Sequence, residues 1–320
     1  LITAVVAVGF VSSAQAAGVN LAPRFEAGTV AYYVSESIIR HEVSADLLDS
    51  DETVTLKSDT GMSLRVAAVD SNGVAEVIWT QHYVAVTGNG TIPGIPSAVD
   101  YDSRLPASAT SPLGFAFTHW VGKPITLRVD RDGNVLSFGG LPDIPANDPY
   151  AQLAKSFFSR AAFEQLPFLI TVGAPNPANV RDTWTRKHQI DLPMGGMGLI
   201  IRREFRLDRL RPRRRSARLS MQGSITGAAL AQGRVGGMPM PAGVPLAVES
   251  GAVAGRFEWD YANGRLLTGE SRLDLVTHIE TRVGKMTLGQ HLTGSITHIS
   301  AEKFERRARS RLTAPKRGSR

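Results

Sequence analysis

The chain is 320 residues long, 42% hydrophobic and 20% charged, with 31 glycines, 18 prolines and no cysteine. That much apolar material can offset the ordering entropy of one large domain or two ordinary ones, and it excludes intrinsic disorder for most of the length. The lack of cysteine excludes disulfides, zinc–thiolate sites, iron–sulfur clusters and cysteine nucleophiles. The net charge of +7 is uneven: residues 301–320 hold eight basic side chains against two acidic ones, and residues 202–218 hold nine arginines against Glu204 and Asp208. The rest of the chain is net acidic, so the sequence reads as an acidic body with two basic spots.

Residues 1–16 begin with an apolar run to Val11 and end in Ala14-Gln15-Ala16, the small-x-small pattern of a signal-peptidase site. The run is too short to span a bilayer core, which needs about 20 apolar residues. A signal peptide lacking its basic start, with cleavage after Ala16 and export to the periplasm or beyond, is the expectation. No later window has the length and apolarity of a transmembrane helix, so the mature chain is expected to be soluble or peripheral.

Strand-like alternation follows. Residues 29–40 are rich in Val, Tyr and Ile, and residues 54–57 are a short β-prone run. Residues 62–70 and 74–87 flank Ser71-Asn72-Gly73, whose Asn-Gly supplies the positive φ of a tight hairpin. Arg131-Asp132-Gly133 and Ala262-Asn263-Gly264 repeat the device. Between them, Asn147 or Asp148 caps a predicted helix with Pro149 at its first turn and Tyr150, Leu153, Phe157 and Ala161 at helical spacing. A shorter helical stretch is expected over 113–120. The order strands, hairpin, Gly/Pro-rich stretch and closing hairpin occurs twice, over 25–140 and 181–300, with Gly88–Pro96 and Gly227–Pro245 expected as loops.

The predicted fold is therefore mainly β with one or two helices: two curved antiparallel sheets, as duplicated half-barrels, flanking a central helix. The expected boundaries are a signal peptide at 1–16, an N-terminal β half at 17–140, a helical connector at 141–180, a C-terminal β half at 181–300 and a basic tail at 301–320.

Two stretches resemble a family of exported bacterial β-rich proteins of unknown function. They are residues 121–135, with Gly122-Lys123 leading into Asp130-Arg131-Asp132-Gly133, and Val180-Arg181-Asp182-Thr183-Trp184-Thr185. The resemblance implies an export signal and a hairpin–helix–strand order, and it implies no catalytic residue.

Chemistry-bearing motifs are sparse. His41-Glu42 lacks the second histidine of a zinc-protease helix, since Ala45 stands there. Asp130-Arg131-Asp132-Gly133 lacks the further acidic ligands of a calcium loop, and Asp46, Asp49, Asp51 and Glu52 read better as a solvated loop than as a weak calcium site. There is no Gly-x-Ser-x-Gly elbow, and Gly195-Gly196-Met197-Gly198 precedes a strand rather than a helix, so neither a serine nucleophile nor a dinucleotide cradle is supported. His291 and His298 lie an odd number of residues apart and are expected on opposite faces of a strand. No metal site and no cofactor is expected.

Three functions compete. The first is a non-enzymatic envelope module holding a lipid or other apolar ligand in a concave sheet, with Leu153, Phe157, Phe158 and Phe163 along the groove. The second is an interaction protein docking on a polyanionic partner or anionic lipid through Arg211, Arg213, Arg214 and Arg215, which occupy a hairpin turn. The charge alone does not make a nucleic-acid reader. The third is a hydrolase using Asp100 and Asp102, which share one side of a strand.

Overall fold

The computed structural model describes residues 18–45, 52–90, 98–106, 117–118, 120–141, 163, 166, 169–192, 197–235, 238–281 and 284–310. Antiparallel β-structure dominates them. The strands are β1 (Val30–Ala45), β2 (Glu52–Val69), β3 (Ala75–Gly90), β4 (Ala98–Asp102), β5 (Pro124–Val129) and β6 (Val135–Gly139) in the first half. The second half has β7 (Thr183–Leu192), β8 (Met197–Arg211), β9 (Ser216–Val235), β10 (Met238–Asp260), β11 (Arg265–Thr281) and β12 (Gly284–Ile299). A helix, α1 (Ala301–Ser310), follows β12 directly. Among the described residues no helix is long and apolar enough to cross a membrane.

The three Asn-Gly and Asp-Gly turns form as the sequence predicts, and all for the same reason. Asp70, Asp130 and Asp260 each use a carboxylate oxygen to accept backbone N–H bonds from the turn: Asn72 and Val74, Asp132 and Asn134, Ala262 and Asn263. Gly73, Gly133 and Gly264 then take the positive φ that closes the loop, at 80°, 89° and 60°. The arginine hairpin closes differently, by a single 3₁₀ turn over Pro212–Arg214, with Arg215 in the left-handed region at φ 50°.

Two expectations change. The halves are not separate sheets: β1 pairs with β12 over an unbroken register from Tyr32↔Ile299 to Ala45↔Met286. The strand order is β6-β5-β3-β2-β1-β12-β11-β10-β9-β8-β7, with β4 also pairing β3. The path ends at β6 and β7, and among the described residues no ladder joins those ends. The Gly/Ala/Pro-rich stretch expected as a loop is also strand for most of its length, because β9 and β10 continue pairing out to Val235↔Met238. Register shifts between Met240 and Val244 and between Ala247 and Ala252 absorb the irregularity. A paired partner supplies the hydrogen bonds that such a composition does not secure by itself. The predicted central helix lies outside the described residues apart from Phe163.

The Asp-anchored turns cluster at one end of the sheet, where Gly73 lies near Arg131, Gly133 near Pro23 and Gly264 near Arg24. Residues 18–29 cross that end as a strap. Val19 and Ala178 exchange both backbone hydrogen bonds at 2.8 Å, Arg24 N–H donates to Gly264 O at 3.3 Å, and Gly28 N–H donates to Val66 O at 2.8 Å. Leu21 in the strap is fully buried, as are Ile125, Leu127, Leu169, Leu207, Leu219, Trp259 and Leu266. Trp79 stacks on Trp120 at 5.8 Å between ring centroids, and Trp184 stacks on Phe205 at 5.6 Å. The strap thus ties the first half, the segment before β7 and the β10–β11 turn into one core.

Gly264 is the tightest point of this arrangement, since a Cβ there would lie 2.3 Å from the Arg24 backbone nitrogen. Gly264→Ala is expected to cost about 3 kcal/mol, the left-handed strain plus displacement of the strap. Gly122→Ala, at φ 80° with nothing within 4 Å of the added carbon, should cost only about 1–2 kcal/mol. Urea denaturation of the two variants checks the difference.

Candidate functional site

Alternation gives the sheet two faces of different chemistry. The core face carries Tyr33, which is fully buried and donates its hydroxyl to Leu266 O at 3.3 Å. Moving along β1 on that face gives Ser35, Ser37, Ile39, His41 and Val43. Cross-strand registers extend each position into a row. One row runs Phe205, Met221, Gly255, Ser271, Gly294, Ser37, Ser58 and Val86, so small side chains occupy its middle. The next runs Val253, Leu273, Leu292, Ile39 and Leu56. Beyond it come Val248, Thr277, Leu288 and Val43. The apolar cluster that begins around the tryptophans continues here through Val253, Leu275, Val43, Val54 and Met286, with Leu56, Leu273, Leu288 and Val248 only half-buried.

Positive charge stands at one side of this face. Arg186 and Arg203 are directly opposite on β7 and β8, next to His188. Arg186 Nη1 donates to Leu169 O, and burial pulls the Arg203 guanidinium down to about 10.

The opposite face is polar and holds a trough of about 1020 Å³. Its floor is two complete cross-strand rows. One contains Ala85, Asp59, Glu36, Ser295, Glu270, Arg256 and Ser220, and the other Thr87, Lys57, Ile38, Thr293, Arg272, Ala254 and Gln222.

Helix α1 covers one end of that polar face. Its Phe304 is buried among Val34, Tyr32 and Tyr83, with the His82 ring edge-on at 5.2 Å. Arg307 donates to Glu36 Oε1 and, at 3.0 Å, to Asp59 Oδ1. Tyr83 lies beneath, its phenol raised to about 12 by burial and then by the Asp59 charge. Beyond the trough, His291 Nδ1 meets Asp274 Oδ1 at 2.8 Å, Arg272 pairs with Asp274 at 2.6 Å, and Arg40 pairs with Glu42 at 2.8 Å. His298 lies on the other face, edge-on to Tyr33 at 5.5 Å. Among the described residues no group of three or more metal-ligating side chains could hold an ion.

The predicted site residues separate. Phe163 is buried, 4.9 Å from the Phe138 ring and 6.2 Å from Trp79, at the packed end of the core. Leu153, Phe157 and Phe158 lie outside the described residues, as do Asp46, Asp49 and Asp51. Arg211 is half-buried and pairs with Glu258 at 3.0 Å, whereas Arg213, Arg214 and Arg215 are exposed. Asp100 and Asp102 do not form a cooperating pair. Asp102 is buried and its carboxylate takes two bonds from Arg104, at 2.7 and 2.9 Å, while Asp100 is exposed. Arg104 also lies 4.3 Å over the Tyr83 ring and reaches Arg307 O, so the pair braces α1. The polar trough went unnoticed in the sequence because its members come from seven strands and share only the parity of their positions.

No protein-family model matches this chain, and no curated protein does. Among solved structures, DynF from the dynemicin biosynthesis pathway of Micromonospora chersina aligns over 91% of this chain and 89% of its own, at 8% identity and a TM-score of 0.21. An outer membrane channel from Pseudomonas putida aligns over 87% and 97%, at 9% identity and a TM-score of 0.24. At such scores neither likeness carries an argument.

Two outcomes are expected. Arg104→Ala removes the guanidinium that balances the buried Asp102 charge and should cost about 3–5 kcal/mol, whereas Arg104→Met combined with Asp102→Asn should cost much less; chemical denaturation followed by circular dichroism compares them. His41, His82 and His298 are all held below the ordinary histidine value, chiefly by burial. The unfolded chain therefore takes up protons first on acidification, and stability should fall as the pH drops below about 6.5. His298→Asn should flatten the dependence of Tm on pH between neutrality and mild acid.

Proposed function

We propose that this protein is an exported, non-enzymatic module of the cell envelope that holds an apolar ligand, a lipid or lipid-linked group, against the core face of its sheet. The observation that carries the reading is the course of the apolar rows. They resume beyond the row of small side chains, at Ile39 and Val43 of β1, Leu273 and Leu275 of β11 and Leu288 and Leu292 of β12, where Leu273 and Leu288, with Leu56 of β2 and Val248 of β10, are only half-buried. Long strands presenting an apolar face beyond what packing requires suit an elongated hydrocarbon guest. In this reading the two halves act as half-barrels with a common concave side. Ser37, Ser58, Ser271 and Gly294 contribute little side-chain bulk midway along it. Arg186 and Arg203 at its margin suit a ligand whose apolar part ends in an acidic or phosphorylated head. The N-terminal apolar segment and its Ala-Gln-Ala site support the exported part of this reading.

Native mass spectrometry of residues 17–320, produced with export into a bacterial envelope, tests this. The expected result is a discrete adduct that organic extraction removes and identifies as lipid. The extracted protein should then take up a fluorescent acyl-chain probe. Leu273→Glu places a carboxylate on the face and should weaken uptake at least about tenfold, since burying an unpaired charge costs several kcal/mol. A clean mass together with no probe uptake by the wild-type protein would overturn the reading.

A further inference from the structure

The β8–β9 hairpin concentrates positive charge that its own surroundings do not neutralise. Arg209 and Arg218 are directly opposite one another across the two strands, and both are exposed. Like charges in that relation, about 5 Å apart, destabilise the ladder. The turn between them adds Arg213, Arg214 and Arg215, all exposed.

The nearby carboxylates are already engaged. Asp208 accepts from Arg206 Nε at 2.7 Å and from Ser220 at 3.0 Å. Glu258 faces Arg218 in register, but its Oε1 accepts from Arg211 at 3.0 Å and from Ser216 at 2.8 Å. Burial would raise that carboxyl, and it is nonetheless held below the usual range by the Ser216 bond, by Arg211 and, at longer reach, by Arg214. Among the described residues no acidic group stands within ion-pair distance of Arg209, Arg213, Arg215 or Arg218.

We propose that this tip is a docking surface for an anionic phospholipid bilayer, whose phosphates take the guanidiniums that the fold leaves uncompensated. Arginine binds phosphate through paired N–H donors, and an anionic bilayer presents a dense plane of phosphates that several neighbouring arginines can meet at once. The absence of any large apolar side chain among the exposed tip residues 212–215 separates this surface from a protein interface, which anchors itself on a desolvated apolar core. Adsorption to a charged bilayer needs no such core. The inference stands apart from the ligand reading above, since the tip is not part of the core face.

The test is cosedimentation of the full chain with vesicles of phosphatidylcholine alone or doped with phosphatidylglycerol. Binding is expected to the doped vesicles only and should fall as ionic strength rises. Arg209→Gln, Arg213→Gln and Arg218→Gln together should reduce it about a hundredfold, three side chains at about 1 kcal/mol each. Arg306→Gln with Arg309→Gln, on the exposed side of α1, should leave it within about twofold. Should the triple variant fail to fold, Arg213→Gln alone, at the turn, should still lose about fivefold. The proposal is overturned if doped vesicles are not bound at low salt, which would leave the arginines to an acidic protein. It is equally overturned if undoped vesicles bind as well or if the α1 variant loses binding instead.

Discussion

The ladder between β1 and β12 is the contact on which the rest of the architecture depends. It joins the first long strand to the last, so the two ends of the described chain meet in the middle of the sheet and the middle of the chain supplies its edges. Each half then has a hydrogen-bonded neighbour along its innermost strand, and the core can run without a break from Trp79 to Trp259. The cost is kinetic: strands separated by nearly the whole chain must find each other before the sheet is complete, and such long-range pairing is slow.

From that junction the two faces diverge. The core face packs tightly where the strap and the aspartate-anchored turns draw the halves together, and toward the far end half-buried Leu56, Leu273 and Leu288 stand beside buried Val43, Val54 and Leu275. The opposite face is ordered by charge instead. Arg307 brings Glu36 and Asp59 of neighbouring strands under α1, and the buried Arg104–Asp102 pair supports the helix from beneath. A single helix of ten residues, rich in arginine, would be marginal in water. It persists here because Phe304 is buried against Val34 and Tyr83.

The arginines serve two kinds of work. Arg104, Arg211 and Arg307 each meet a carboxylate and lock one element to another. Arg209, Arg213 and Arg218 meet none among the described residues, and their mutual repulsion is a standing cost that an anionic partner would remove. The difference lies in where each side chain falls on its strand or turn, not in composition.

Much of this was legible in the sequence, because short-range chemistry decides it. An aspartate followed by Asn-Gly or Asp-Gly makes its own turn, so three hairpins and their strand limits could be read directly. The arginine hairpin was equally visible between two alternating runs. The junction of the halves was not, since nothing local in residues 30–45 or 284–299 names its partner. The extended pairing of β9 and β10 was hidden behind a loop-like composition. Asp100 and Asp102 looked equivalent until Arg104 folded back onto one of them. The sequence by itself determined the turns, the alternation and the amount of charge; tertiary structure alone decided which rows line up, because a row is made of residues whose only common property is their register across strands.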